Sequence, residues 1–131
     1  MKNRIGLFGG SFDPIHNAHL IIASIIRQEF ELDKIIFIPN FVTPFKENSS
    51  TSDISHRIEM IKLSITGNKE FELSDFEASH KRAVYTCETV EHFKSLYPDH
   101  ILSLLIGYDA YKTIKKWKNS SYILENAEII I

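Results

Sequence analysis

The chain has 131 residues, of which 44% are hydrophobic and 24% are charged, and this balance predicts one globular domain with an apolar core. A formal net charge of −2 gives no reason to expect a nucleic-acid surface, and a single cysteine excludes an intrachain disulfide and suits a reducing compartment. The apolar run behind the basic N-terminus stops at Gly9, too early for a signal peptide or a membrane span. We therefore expect a cytoplasmic protein with neither nucleic-acid nor membrane partners.

Apolar runs alternate with segments of helical character along the whole chain. The runs that predict strands are 5–8, 34–39, 71–74, 101–106 and 127–131, and the segments that predict helices are 20–26, 54–66, 85–97, 110–117 and 122–124. The charged stretch 77–84 is expected to be a connection. Strands of near-continuous apolar character are typical of a parallel sheet that is covered on both faces. The pattern predicts an α/β fold over residues 1–131, with a doubly wound parallel sheet and helices on both faces.

The turn between the first strand and the first helix carries the strongest chemical signal. Residues 9–19 read GGSFDPIHNAH. Gly9 and Gly10 allow the backbone to approach a ligand closely and to adopt a positive φ. His16 and His19 share one face of the first helical turn, beside the positive end of the helix. This combination predicts a site for a polyphosphate.

Two plainer interpretations of this turn stay open. Glycine, serine, aspartate and proline are common in ordinary loops. The two histidines could also ligate zinc, but a zinc site needs further donors, and Cys87 stands alone in the sequence.

Residues 9–19 resemble the Gly-rich turn and H-x-G-H motif of the nucleotidyltransferase superfamily. Their particular form is similar to that of the nicotinate mononucleotide adenylyltransferases, although Ala18 stands where that family usually has glycine. The resemblance implies a Rossmann-like fold. It also implies transfer of the adenylyl group of ATP to nicotinate mononucleotide, which gives deamido-NAD and pyrophosphate in NAD biosynthesis.

The resemblance assigns roles to residues that follow the predicted strands. It implies ATP contacts for Gly9, Gly10, Ser11, Phe12, Gly107 and Asp109, and nicotinate mononucleotide contacts for Tyr85, Thr86 and Trp117. It implies that His16, His19 and Lys46 stabilise charge on the phosphates. Each later motif has a structural alternative, in which Lys46 is a surface residue, Thr86 and Asp109 are helix caps, and Trp117 is a core residue.

No set of carboxylates in the sequence forms a metal site, so we expect Mg²⁺ to arrive with ATP. Three further positions depart from the family pattern, because Phe45 replaces histidine, Val84 replaces serine and Glu88 replaces aspartate. The family also continues past the last predicted strand, so we expect the chain to be incomplete at its C-terminal end and poorly active alone. The alternatives are another nucleotidyltransferase, such as the pantetheine-phosphate type, and a nucleotide-binding module without turnover.

Overall fold

The computed structural model describes residues 3–41 and 53–131, and these form one five-stranded sheet. The strands are β1 (Asn3–Gly10), β2 (Lys34–Pro39), β3 (Phe71–Leu73), β4 (His100–Leu105) and β5 (Glu128–Ile130). Their order is β3-β2-β1-β4-β5, and every neighbouring pair is parallel. The predicted doubly wound α/β fold is confirmed, and each strand lies within two residues of its predicted bounds.

Within residues 3–41 and 53–131, six helices connect these strands. They are α1 (Asn17–Glu29), α2 (Ile54–Ile65), α3 (Phe76–Ser79), α4 (Thr86–Leu96), α5 (Tyr108–Tyr111) and α6 (Ser120–Asn126), with a 3₁₀ turn at Ile114–Lys116.

One helix prediction and one connection prediction are wrong. The segment 110–117 is not one helix, because the Thr113 hydroxyl donates to the Ala110 carbonyl and accepts the Trp117 indole N–H, and such bonds compete with helix continuation. The stretch 77–84 is not a plain connection, because α3 occupies its first part. The Ser74 hydroxyl accepts the backbone N–H of Phe76 at 3.2 Å and so starts this short helix.

The sheet has an apolar core on each face. One core contains Val90 of α4, Ile123 of α6 and the inward side chains of β4. The other contains Ala23 of α1, Ile61 of α2 and Phe37 of β2. Helices therefore cover both faces, as the near-continuous apolar strands predicted.

The strand order changes direction at β1. The chain leaves β1 toward β2 on one side, and β4 lies on the other side. In sheets of this kind the crevice outside the carboxyl ends of the strands on either side of the switch point binds the ligand. The site is therefore expected where β1 ends at Gly10 and β4 ends at Leu105.

Candidate functional site

The turn after β1 is held against the core by Phe12. Its ring is 2% exposed and packs edge-on against Phe8 and Phe37, with ring centroids 5.3 and 5.6 Å apart. Phe12 also has a left-handed φ of 47°, whereas Gly9 and Gly10 continue β1 without a positive φ. The prediction of positive φ at the two glycines is therefore wrong. Since the Phe12 ring is buried, any ligand contact at this residue is made by its backbone.

His16 and His19 lie together at the start of α1. Their ring centroids are 3.9 Å apart, and the backbone N–H of His16 donates to Nδ1 of His19 at 3.1 Å. A ring nitrogen that accepts a hydrogen bond carries no proton, so this contact assigns the proton of a neutral His19 to Nε2. Burial lowers the pKa of His19, and the neighbouring His16 lowers it further. His19 is thus a neutral donor beside the positive end of a helix, which suits a phosphate oxygen.

Arg57 of α2 joins the turns that follow β1 and β2, and sequence reasoning missed it. The residue is 2% exposed. Its guanidinium donates to the carbonyl oxygens of Ser11 and Asn40, both at 2.8 Å, and of Phe41 at 3.0 Å. Burial lowers the pKa of Arg57, and nearby aspartates oppose that shift. One buried cation therefore fixes the position of Ser11, the first residue after the glycine pair.

A signal for Arg57 was present in the helical spacing. It lies between Ile54 and Ile61 at helical intervals, on the face of α2 that packs against the core. Met60 of the same helix does not share this buried face and is 45% exposed. A charged residue on an apolar helix face points to a buried polar contact.

A cavity of about 570 Å³ opens on the other face of the sheet, outside the carboxyl ends of β1, β2 and β4. Five of the predicted site residues line it, namely Gly9, Gly10, Tyr85, Thr86 and Trp117. A second cavity, of about 460 Å³, lies at the amino ends of the strands beside His100 and is lined by none of the predicted site residues. The predicted ligand edge is therefore the one with both the cavity and the motif residues.

The N-terminus of α4 forms one wall of the 570 Å³ cavity. Tyr85 is its N-cap, and the backbone N–H of Tyr85 donates to the Glu88 carboxylate at 2.8 Å. Arg82 pairs with Glu88 at 2.8 Å, and these two contacts lower the pKa of Glu88 to about 2, with the Arg82 contact the larger cause. Glu88 thus acts as a capping side chain. The N–H groups of Thr86 and Cys87 lie in the first helical turn, where the helix itself offers no acceptor.

Trp117 forms the opposite wall. Its indole N–H donates to the Thr113 hydroxyl at 3.2 Å, and its ring packs against the core on this face while lining the cavity. Trp117 thus packs partly against the core, as one alternative predicts, and its stacking role stays a prediction. Lys118, which follows it, places its Nζ 4.7 Å from the centroid of the Tyr85 ring, and both residues line the cavity.

The remaining predicted residues are not brought to the cavity. Gly107 is the N-cap of α5, and the Asp109 side chain is 97% exposed, with a 3.5 Å contact to Lys112. Thr86 and Asp109 are not helix caps, since Tyr85 and Gly107 hold those positions. Lys46 lies outside the described residues.

The described residues contain neither a cluster of metal ligands nor a membrane-spanning helix. Across residues 3–41 and 53–131 there is no group of three or more histidine, cysteine, aspartate or glutamate side chains that could hold a metal ion. Among the same residues, no helix has the length and apolar character needed to cross a bilayer. The zinc interpretation of His16 and His19 therefore finds no further ligands in the described part of the chain.

Gly9 offers a test of the cavity that leaves the fold in place. A Cβ at Gly9 would meet only the Ile38 carbonyl oxygen, at 3.8 Å. The free energy of unfolding of Gly9→Ala is therefore expected to lie within about 0.5 kcal/mol of the parent value. The added methyl group projects where a phosphate would approach, so we expect at least tenfold weaker nucleotide binding by calorimetry.

Gly6→Ala is the matched control, because its Cβ would lie 2.6 Å from Ile35 Cδ1 in the core. It should lower stability by about 1–3 kcal/mol and leave the remaining folded protein able to bind. Full binding by Gly9→Ala would contradict the assigned role.

Comparison with known proteins agrees with this geometry. The chain matches the cytidylyltransferase-like family over residues 7–131. It is 39% identical over 127 residues to a probable nicotinate-nucleotide adenylyltransferase of Bacillus licheniformis, covering 97% of the chain and 67% of that protein. It is 42% identical over 131 residues to one of Clostridium tetani, covering 100% of the chain and 65% of that protein. The chain thus spans about two thirds of the length of these curated relatives.

Solved structures give the same result. The nicotinic acid mononucleotide adenylyltransferase of Plasmodium falciparum, complexed with NaAD, has a TM-score of 0.80 and 25% identity, covering 97% of this chain and 63% of that one. The sequence match, the parallel sheet and the glycine–histidine turn agree with one another. The chain belongs to the cytidylyltransferase-like family and, within it, to the nicotinate-nucleotide adenylyltransferases.

Proposed function

We propose that this protein transfers the adenylyl group of ATP to nicotinate mononucleotide, giving deamido-NAD and pyrophosphate. One observation carries the proposal, namely that two candidate half-sites lie on opposite faces of the sheet, beside the turn that follows β1. On one face, His16 and His19 stand at the start of α1. On the other face, Trp117 and the N-terminus of α4 enclose a cavity that the two glycines also line. A reaction that joins two nucleotides through their phosphates needs two neighbouring sites of this kind.

The chemistry requires positioning more than proton transfer. A phosphate oxygen of nicotinate mononucleotide attacks the α-phosphorus of ATP in line, and the bond from that phosphorus to the oxygen of pyrophosphate breaks. The nucleophile is already anionic, so no general base is needed. In this proposal His19 donates from Nε2 to a phosphate oxygen, and His16 and the start of α1 add positive potential. Arg57 acts indirectly, because it holds the Ser11 backbone in place.

Magnesium enters this scheme as part of the MgATP substrate. The described residues hold no cluster of donors suited to a resident ion, and Mg²⁺ commonly binds through phosphates and water. Lys46 would supply a further positive charge to the triphosphate. Gly107 and Asp109 would contact the ribose of ATP, which requires Asp109 to exchange its contact with Lys112 for the sugar hydroxyls.

The pyridine half-site has the chemistry to hold an acid nucleotide. The first-turn N–H groups of α4 favour an anion, and Lys116 and Lys118 also line the cavity. Trp117 offers a flat face to the pyridine ring. The relatives named above and the NaAD complex of the P. falciparum enzyme support the same substrate.

Fluorescence tests this assignment directly, because Trp117 is the only tryptophan of the sequence. Nicotinate mononucleotide should quench its emission in a saturable titration, whereas ATP alone should leave the emission nearly unchanged. Equal quenching by both nucleotides would contradict separate half-sites. Quenching by phosphopantetheine and not by nicotinate mononucleotide would favour the pantetheine-phosphate alternative.

Replacement of Trp117 should separate the two substrates. Stacking contributes roughly 0.5–1.5 kcal/mol beyond burial, so Trp117→Ala is expected to weaken nicotinate mononucleotide binding about tenfold and ATP binding less than twofold. Trp117→Phe retains an aromatic face and should lose less affinity for nicotinate mononucleotide than Trp117→Ala does. Calorimetric titrations of both variants measure the difference. Equal losses for both ligands, with a large fall in Tm, would show that the residue serves only the core.

A further inference from the structure

Glu77 lines the pyridine half-site, and the mechanism above does not use it. This glutamate lies on α3, is half-buried, and accepts a hydrogen bond of 2.7 Å from the hydroxyl of Thr89. Thr89 is 2% exposed, and both side chains line the same cavity as Thr86 and Trp117. A carboxyl group of the protein therefore faces the space in which the substrate's own carboxylate would lie.

We propose that Glu77 is a specificity-determining residue whose protonation state selects between the acid and the amide forms of the pyridine nucleotide. A neutral Glu77 tolerates the nicotinate carboxylate and can donate its proton to it. An ionised Glu77 repels that carboxylate and accepts instead from the N–H groups of a nicotinamide. The inference rests on the proposed function, because it takes the pyridine ring to lie in this cavity.

The surroundings of Glu77 favour its neutral form. Burial raises the pKa of Glu77 to about 7, against the opposing hydrogen bond from Thr89, with smaller contributions from Glu88, which raises it, and His80, which lowers it. Within residues 3–41 and 53–131, Glu77 forms no ion pair. A carboxyl group in this setting changes its charge within the physiological pH range.

Other charged residues around the cavity do not cancel the repulsion between an ionised Glu77 and the substrate carboxylate. Lys116 and Lys118 line the cavity and attract a substrate carboxylate as well as an ionised Glu77. Glu88 is held by Arg82 in a 2.8 Å contact, and that pairing weakens its repulsion. When the carboxylate of nicotinate mononucleotide enters the cavity, it and Glu77 share one site. Their mutual repulsion makes uptake of a proton by one of the two groups more favourable than it would be for either group alone. The acid nucleotide should therefore bind together with a proton at Glu77.

The sign of the pH dependence follows from this coupling. Below about pH 7 Glu77 is neutral and the acid nucleotide binds fully, whereas above that pH binding must also protonate Glu77. The Kd for nicotinate mononucleotide should rise about tenfold between pH 6 and pH 8. Nicotinamide mononucleotide carries the same phosphate, which itself titrates near pH 6. The effect of phosphate titration therefore cancels in the ratio of the two dissociation constants, and the pH dependence of this ratio reports only on the ring substituent.

Calorimetric titration of the chain with each nucleotide at pH 6, 7 and 8 tests the proposal. The ratio of the acid to the amide Kd should rise at least tenfold across this range in the parent chain, because ionisation of Glu77 weakens binding of the acid and favours binding of the amide. Glu77→Gln keeps the size of the side chain and an acceptor for Thr89, and should make the ratio independent of pH. Glu91→Gln, on the exposed side of α4, is the matched control and should keep the parent slope. Titrations in two buffers of different ionisation enthalpy should show uptake of about one proton at pH 8 with the acid nucleotide only.

Thr89 provides a second, independent pair of variants. Its hydrogen bond lowers the pKa of Glu77, so Thr89→Val should move the loss of acid-nucleotide affinity to higher pH. Thr89→Ser keeps the hydroxyl and should leave the midpoint pH of this loss of affinity unchanged. A residue that only supports the fold would not shift this midpoint in one direction.

Two results would overturn the proposal while leaving the proposed function intact. One is a pH-independent ratio in the parent chain, and the other is the parent slope persisting in Glu77→Gln. Failure of both nucleotides to bind at every pH would overturn the proposed function and this inference together.

Discussion

His19→Ala is expected to lower the rate of adenylyl transfer at least a hundredfold and to lower stability by about 1 kcal/mol or less. The side chain presents Nε2–H at the N-terminus of α1, because Nδ1 already accepts the His16 backbone N–H. Loss of one preorganised donor to the charge of a transition state typically has an effect of this size. Initial rates of pyrophosphate release measure it.

The control for this variant is His56→Ala. His56 is an exposed residue of α2 that is not among the residues lining the cavity, and its replacement should leave the rate unchanged. Turnover by His19→Ala at the parent rate would show that His19 does not contact the phosphates. A large fall in Tm would instead assign it to the packing of Phe12, whose ring centroid lies 5.1 Å away.

Arg57→Met is expected to cause the largest loss of stability, about 3 kcal/mol, with a fall in Tm of about 10 °C. The substitution removes three charge-assisted hydrogen bonds to the carbonyls of Ser11, Asn40 and Phe41 and leaves these acceptors near a buried apolar chain. Denaturation in urea, followed by circular dichroism, gives the free energy of unfolding.

Lys62→Met is the matched control for Arg57, because it changes an exposed cation of the same helix to the same residue. It should alter the free energy of unfolding by less than about 0.5 kcal/mol. Arg57→Lys should recover only part of the loss, since an ammonium group cannot reproduce the geometry of the guanidinium fork. A loss below about 1 kcal/mol for Arg57→Met would contradict the account of a buried anchor.

The strands and the first turn were predictable because their signals are local. Buried parallel strands leave near-continuous apolar runs, and the pattern of residues 9–19 gathers glycines, histidines and a helix start within eleven positions. The strand order, which the structure supplies, places the site outside β1 and β4.

The functional residues that sequence reasoning missed, and the misplaced positive φ, depend on contacts between distant parts of the chain. The helical spacing marks Arg57 only as a charged residue on the apolar face of α2, and it does not identify the partners, which lie 16 to 46 residues away. Glu77 lies in a charged stretch whose composition suggests a solvated surface, yet α3 turns it into the cavity beside Thr89. The left-handed φ falls on Phe12 and not on a glycine, because burial of its ring compensates for the backbone strain. Local periodicity carries no information on these pairings.

The most direct test of the account follows the α-phosphorus of ATP. The chain is incubated with ATP labelled at that position and with nicotinate mononucleotide or phosphopantetheine as acceptor. We expect the label to appear in deamido-NAD at a low but measurable rate, in keeping with the poor activity expected of the chain alone, with one pyrophosphate released for each product and no labelled product from phosphopantetheine. Label transfer to phosphopantetheine would contradict the assigned acceptor. Binding of both nucleotides without any transfer would contradict the proposal that the two half-sites form a catalytic arrangement beside the turn that follows β1.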